Sequence, residues 1–257
     1  MMDLREVLNV FVAGSRDILG ESLTGIYLHG SAAMGCFHAK RSDIDLLTVV
    51  REDLTREDKL RYLAMAAALH RQAPGNGLEF SVVREDVCRP FVYPTSFLLH
   101  FSAMHVARYA ADPAAYAAQM HGTDRDLAAH MTVIYHRGKA LCGRAIREVF
   151  APVPERDYMD SIWSDIEYAE SEITGDPVYY ILNLCRVLAF RRDRLVLSKA
   201  EGGGWGMQAL PAHAPLIQAA LQAYRSGAAL TVDATAARAF AAEMLQNIRE
   251  RGTPDAV

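Results

Sequence analysis

The chemistry of this chain concentrates in one stretch. Gly30-Ser31 follows an apolar run (Ile26, Tyr27, Leu28), and Ser42-Asp43-Ile44-Asp45 comes eleven residues later, leading straight into Leu46 to Val50. On a strand, alternate side chains share a face, so Asp43 and Asp45 point one way and Ile44 and Leu46 the other. Two carboxylates so close repel each other, unless a divalent cation sits between them. Gly30 lets the backbone approach a ligand closely, and Ser31 with the amides after it can hold a phosphate at a helix start. Such equipment suits metal-assisted transfer from a nucleoside triphosphate. Neither piece says much alone, since S-D-x-D is common in loops and Gly-Ser occurs everywhere. Their order, strand–GS–helix–DxD–strand, is the specific signal.

The elements that must position these residues read as follows. Leu4 to Leu19 has helical periodicity, and the strand Gly25–His29, a short helix after Ser31 and the strand Asp43–Val50 come next. Thr55 to Arg71 is Ala/Leu-rich with Thr55 as N-cap, and Gln72 to Gly77 is a turn before the strand Leu78–Arg84. Pro90 to Tyr93 is irregular. Thr123 is expected to cap a helix whose early carboxylates, Asp124 and Asp126, favour its dipole and which ends near Gly138. Two prolines at Ala151-Pro-Val-Pro-Glu155 mark a boundary. Beyond it only helices are expected: Asp157–Ile173, Val178–Phe190, Lys199–Met207, Ala214–Tyr224 and Ala234–Glu250. The fold class is thus α+β, with a small mixed β-sheet flanked by helices over residues 1–153 and an all-helical C-terminal bundle over 154–257.

Glu79 lies between apolar Leu78 and Phe80 at the start of its strand. It is a candidate third metal ligand or a base for an acceptor hydroxyl, and equally a solvated strand-end glutamate.

The ordered Gly-Ser and Asp-x-Asp pair resembles the signature of the DNA polymerase β-like nucleotidyltransferase superfamily. Within it, the chain looks like the aminoglycoside O-adenylyltransferases that inactivate spectinomycin and streptomycin. The segments that carry this likeness are GSAAMGCFHAKRSDIDLL, GLEFSVV, GTDRDLAAHMTVIYHRGKALCG, DPVYYILNLCRVLAF and VLSKAEGGGWGMQALP, spanning most of the chain. The resemblance implies a nucleotidyltransferase domain with a helical C-terminal domain. It makes Glu79 the catalytic base, and Ser31, Ser42, Asp43 and Asp45 the nucleotide- and magnesium-binding positions, with ATP as co-substrate and Mg2+ as cofactor. Asp126 matches an acidic position near the nucleotide, Arg186 and Lys199 match side chains that approach the triphosphate, and Tyr224 matches a tyrosine lining the nucleotide site. Arg and Lys neutralise phosphate charge, Arg with two hydrogen bonds. Arg186 also lies on an otherwise apolar helix, where an unpaired charge is costly. Lys199 and Tyr224 could equally be surface residues on amphipathic helices. Asp176 matches an acid set against the cationic aminocyclitol, and an Asp before Pro177 is also a common helix cap.

Members that accept both antibiotics carry a tryptophan after the Glu79 strand and a histidine near Asp176. Here the first region reads Phe97 to His105 without tryptophan, and Tyr179 replaces the histidine. This resembles the spectinomycin-restricted branch. His100 and His105 could contact substrate or serve the core or surface. Trp205 is expected to pack a helix against its neighbours.

The chain is long enough for one large domain or two small ones, at 257 residues, and is 51% apolar and 23% charged. A formal charge of −4 offers nothing for a polynucleotide and suits a cationic small molecule. Cys36, Cys88, Cys142 and Cys185 lack zinc spacing and read as reduced thiols. The charged N-terminus lacks a signal-peptide pattern, and no run reaches the ~18 apolar residues of a membrane span. A cytoplasmic monomer without nucleic-acid or membrane partners is expected. The rival readings are a nucleotidyltransferase acting on another metabolite or a protein, and a non-catalytic nucleotide-binding regulator. Retention of both aspartates and Glu79 argues against the second.

Overall fold

A computed structural model describes residues 2–250, and the chain divides into two compact units between Pro154 and Glu155. Met1 and residues 251–257, which the expected domains include, lie outside the described residues.

The first unit runs α1 (Leu4–Leu19), β1 (Leu23–Leu28), α2 (Gly30–Ala33), β2 (Asp43–Val50), α3 (Arg56–His70), β3 (Gly77–Arg84), β4 (Thr95–Phe97), β5 (Leu99–Phe101), α4 (Val106–Ala111), α5 (Pro113–Gln119), β6 (Gly122–Asp124), α6 (Leu127–Arg137), β7 (Lys139–Gly143) and α7 (Ile146–Val149). Capping boxes start α1 (Asp3 with Glu6) and α3 (Thr55 with Asp58). The main sheet has the order β5-β3-β2-β1-β7 and is mixed: β2 and β3 run parallel, and the other neighbours antiparallel.

Period-two alternation divides this sheet between two cores. One face presents Ile26, Leu28, Ile44, Leu46, Leu78, Phe80 and Val82 to Phe11 of α1 and Tyr62 and Leu63 of α3. Burying each such side chain contributes about 1.5–3 kcal/mol. The opposite face presents Tyr27, Leu47, Val49 and Val83 to Leu127, Met131 and Ile134 of α6 and to Phe150. Asp43, Asp45 and Glu79 belong to this second face by alternation. Helix α6 therefore seals one end of the face with apolar side chains, while the other end carries carboxylates.

The second unit consists of α8 (Glu155–Ser164), α9 (Ala169–Glu172), α10 (Pro177–Asp193), α11 (Lys199–Ala209), α12 (Ala214–Ser226) and α13 (Ala234–Glu250). Helix α10 is apolar on most sides and buries Ile181, Leu182, Leu184, Cys185, Val187, Leu188 and Ala189, as a central helix must. The glycines of α11 explain how it packs there. A Cβ on Gly206 would sit 2.7 Å from Cys185 Sγ, and one on Gly203 2.6 Å from Leu221 Cδ2.

Three expectations need correcting. Thr123 caps no helix: Gly122–Asp124 forms β6, paired with β4 in a separate two-stranded sheet, and α6 starts after Asp126. The single helix expected over Asp157–Ile173 is broken after Ser164, where Ile166 N and Glu167 N both bond Trp163 O in a tight turn. The edge strand β7 and the short elements between Thr95 and Gln119 were not expected. Trp205 packs α11 against α10: its indole N–H donates to Asp193 Oδ2 at 2.7 Å and Arg192 lies over its ring. The cysteines are all free thiols, with Cys88, Cys142 and Cys185 buried. No described helix is long and apolar enough to cross a membrane.

Candidate active site

Strand β1 delivers the chain to His29, whose N–H donates to the Asp45 carbonyl at 3.0 Å, and then to Gly30. Gly30 has φ +57°, and a Cβ there would collide with the Asp45 carboxylate. Only glycine lets the Gly30-Ser31 turn lie against that acid. Ser31 is the second residue of the single turn α2, its carbonyl accepting from Cys36 N at 3.0 Å.

Ser42 is fixed from both sides. Its hydroxyl accepts from His38 N at 3.0 Å, and its carbonyl accepts from Asn76 N at 3.1 Å. Gly75, at φ +69°, comes so near that a Cβ would strike the Ser42 carbonyl. The turn expected before β3 thus holds the residue preceding Asp43. The same turn starts β3 in register: Leu78 N donates to His70 Nδ1 at 3.1 Å. Asp43 then pairs with Gly77, and Asp45 with Glu79. All three carboxylates share a face on adjoining strands.

Asp126 completes the acidic group from α6, ion-paired to His130 Nε2 at 3.0 Å. The electrostatics are those of crowded, partly buried acids. Burial pushes the Glu79 carboxyl above its usual range, and Asp43, Asp126 and Asp124 push it further, while His130 opposes them. Burial disfavours the His130 cation, but Asp126, Glu79 and Asp45 outweigh this and raise it to about 10. Burial holds His29 well below the ordinary histidine value, with the His130 cation adding to the effect. His130 is therefore the positive charge among these acids.

His130 lies within the segment GTDRDLAAHMTVIYHRGKALCG, but the sequence singles out neither it nor His29 as a site residue. The one signal available was the Asp126–His130 spacing of four on a helix. His100 and His105 are engaged within the first unit. Ser81 bonds His100 Nδ1 at 2.9 Å, and Tyr116 donates to the His100 carbonyl at 2.7 Å while bonding His105 Nδ1.

The remaining expected residues lie in the second unit, where Asp176, Tyr179 and Lys199 adjoin. Asp176 caps α10, its Oδ1 accepting from Tyr179 N at 3.0 Å. Tyr179 donates its hydroxyl to Asp165 Oδ1 at 3.1 Å, which uses the broken turn after α8. Lys199 Nζ lies 4.8 Å from the centre of the Tyr179 ring. Arg186 donates from Nε to the Leu197 carbonyl at 2.8 Å and from Nη1 to Asn183 Oδ1 at 2.9 Å. These bonds fix the guanidinium beside the segment that begins α11. Tyr224 is half-buried on α12.

The fold has a solved counterpart. It matches a spectinomycin adenyltransferase from Enterococcus faecialis, solved with ATP and spectinomycin, at TM-score 0.78 and 18% identity, over 95% of this chain and 99% of that one. Residues 148–247 match the model of the aminoglycoside adenylyltransferase C-terminal domain. An aminoglycoside (3'')(9) adenylyltransferase of Klebsiella pneumoniae is 30% identical over 220 residues, covering 80% of this chain and 79% of the relative. A spectinomycin 9-adenylyltransferase of Staphylococcus aureus is 25% identical over 215 residues, covering 82% and 81%. The chain belongs to the aminoglycoside adenylyltransferase family.

Proposed function

We propose that this protein transfers AMP from ATP to a hydroxyl of an aminoglycoside or aminocyclitol antibiotic, spectinomycin before others, and thereby confers resistance. The observation that carries this reading is the placement of Asp43, Asp45 and Glu79 on one face of parallel neighbours, in a chain of this family. A small net negative charge, −4, offers nothing for a polynucleotide and suits a cationic acceptor; a cytoplasmic monomer without nucleic acid belongs to the same proposal.

Magnesium fits the donor set. Among the described residues no three acidic, His or Cys side chains converge into a ready metal cage. Mg2+ is usually held by one or two carboxylates, with substrate phosphates and water supplying the rest. Asp43 and Asp45 are the residues that would hold it, with the Glu79 carboxylate adjoining. When bound, magnesium neutralises triphosphate charge and polarises the α-phosphorus.

The chain's own groups do the rest. Glu79 takes the proton of the acceptor hydroxyl as its oxygen bonds to the α-phosphorus and pyrophosphate leaves. Burial raises the proton affinity that this step needs, and His130 favours the ionised form that must start it. Ser31 and Ser42 bind phosphate oxygens, and Asp126 faces the nucleotide. Arg186 and Lys199 neutralise the β- and γ-phosphates, and Tyr224 contacts the nucleotide. Asp176 pairs with the ammonium groups of the acceptor. Tyr179, where dual-acceptor members carry histidine, favours spectinomycin over streptomycin. Mass spectrometry of spectinomycin incubated with the protein, ATP and Mg2+ tests the reading: an added adenylyl group supports it, and unmodified antibiotic contradicts it.

A further inference from the structure

Asp126 stands at the N-cap of α6, where an aspartate ordinarily accepts a hydrogen bond from an amide of the first turn. It makes no such bond; its φ and ψ of −69° and −20° are helical. Its carboxylate goes instead to His130, one turn on, at 3.0 Å. The Asp126 side chain is 49% exposed and that of His130 only 19%, so the carboxylate is gripped from within and open outward. His130 is held in turn by a second imidazole. The His29 ring centre lies 4.6 Å away with the planes 41° apart, and His29 is 4% exposed. The His29 Nε2 makes no hydrogen bond, so its ring works by packing. The His29 backbone joins both neighbouring elements: its N–H bonds the Asp45 carbonyl at 3.0 Å, and its carbonyl accepts from Ala33 N of α2 at 3.3 Å.

We propose that His130 is a positioning residue for ATP: its Nε2–H fixes the Asp126 carboxylate toward the nucleotide, while the packing of its ring on His29 serves the fold rather than binding. This rests on the reading of Asp126 as a nucleotide contact. Helix α6 lies about a hundred residues along the chain from the Gly30-Ser31 turn, and the histidine pair joins the two. A carboxylate held in one rotamer loses less entropy when ligand arrives.

Two substitutions separate the hydrogen bond from the packing. His130→Gln keeps an N–H donor near the Nε2 position, and His130→Phe keeps the ring without it. ATP affinity with Mg2+, measured by calorimetry without antibiotic, is the readout. His130→Phe weakens binding about tenfold, the effect of losing a hydrogen bond to a charged group. His130→Gln stays within about threefold of the parent, and His130→Phe costs nothing further in an Asp126→Ala background. Tight binding by His130→Phe overturns the proposal, as does an equal loss in both variants or in both backgrounds. Should His130→Phe fail to fold, His130→Gln decides: a loss as large as that of Asp126→Ala overturns it. Because no acceptor is present, a protein that binds ATP yet never modifies spectinomycin sinks the proposed reaction and leaves this inference to its own result.

Discussion

Asp45 and Glu79 stand directly opposite each other on the parallel strands β2 and β3. Two acids in register on one sheet face are a liability to folding, and here burial adds to the cost, since it drives the Glu79 carboxyl toward its neutral form. A site that tolerates this is arranged for charge that arrives with a ligand.

Replacing Glu79 with Gln separates stability from activity. The structure favours a neutral group there, so Glu79→Gln should melt no lower than the parent at neutral pH, and higher when metal-free. Pyrophosphate release should meanwhile fall roughly 10³-fold, the scale of a lost general base. A coupled pyrophosphate assay and a thermal melt check both.

Asp45→Asn should abolish the magnesium dependence of ATP binding and lower pyrophosphate release roughly 10²–10³-fold. Titrating Mg2+ at fixed ATP reads this. Unchanged metal dependence would remove Asp45 from the metal.

Two glycines with positive φ make a matched pair. Gly35 has φ +76° with nothing near a Cβ, so Gly35→Ala should cost only the backbone term of about 1–2 kcal/mol. Gly30→Ala adds a collision with the Asp45 carboxylate to the same term. It should destabilise more and also lose transfer activity, which Gly35→Ala should keep. Denaturant melts and the pyrophosphate assay distinguish the two.

Helix α11 offers a similar contrast. Gly204 has open space around a Cβ, and Gly204→Ala should stabilise by about 1 kcal/mol through helix propensity. At Gly202 a Cβ would sit 2.5 Å from Arg186 Cγ. Gly202→Ala should displace that arginine and weaken ATP binding several-fold, as calorimetry would show.

His100 gives a second pH signature. Burial, with His105 and His130 nearby, lowers it to about 4, against an ordinary 6.5. A depressed folded value means stability that is whole above 6.5 and is lost as pH falls toward 4. The loss is on the order of 3 kcal/mol, at about 1.4 kcal/mol per unit. His100→Asn, which can still bond Ser81, should flatten the fall in melting temperature across that window.

Period and caps made much of the first unit readable. Leu4–Leu19, Asp43–Val50 and the Thr55 cap are where amphipathic spacing and capping chemistry place them. Lys139–Gly143 escaped because an edge strand buries little: within it only Cys142 is buried. Thr123 misled because Thr-Asp before a helical run is cap chemistry, yet the backbone there is spent on pairing with Thr95–Phe97. In the site, Asp43 and Asp45 were visible through alternation and their order after Gly30-Ser31, whereas strand pattern left Glu79 open and the family resemblance pointed to it. His29 and His130 were not visible, because their contact joins a strand end to a helix about a hundred residues on. The Tyr179–Lys199 contact and the Arg186–Leu197 bond likewise depend on how α11 packs against α10.

Pyrophosphate release with ATP and Mg2+ tests the central claim most directly, comparing spectinomycin, streptomycin and no antibiotic, with Glu79→Gln as control. The expected result is release with spectinomycin alone, abolished in Glu79→Gln. Release with streptomycin as well would contradict the role given to Tyr179. No release with either antibiotic, despite magnesium-dependent ATP binding, would contradict the assignment of an antibiotic acceptor.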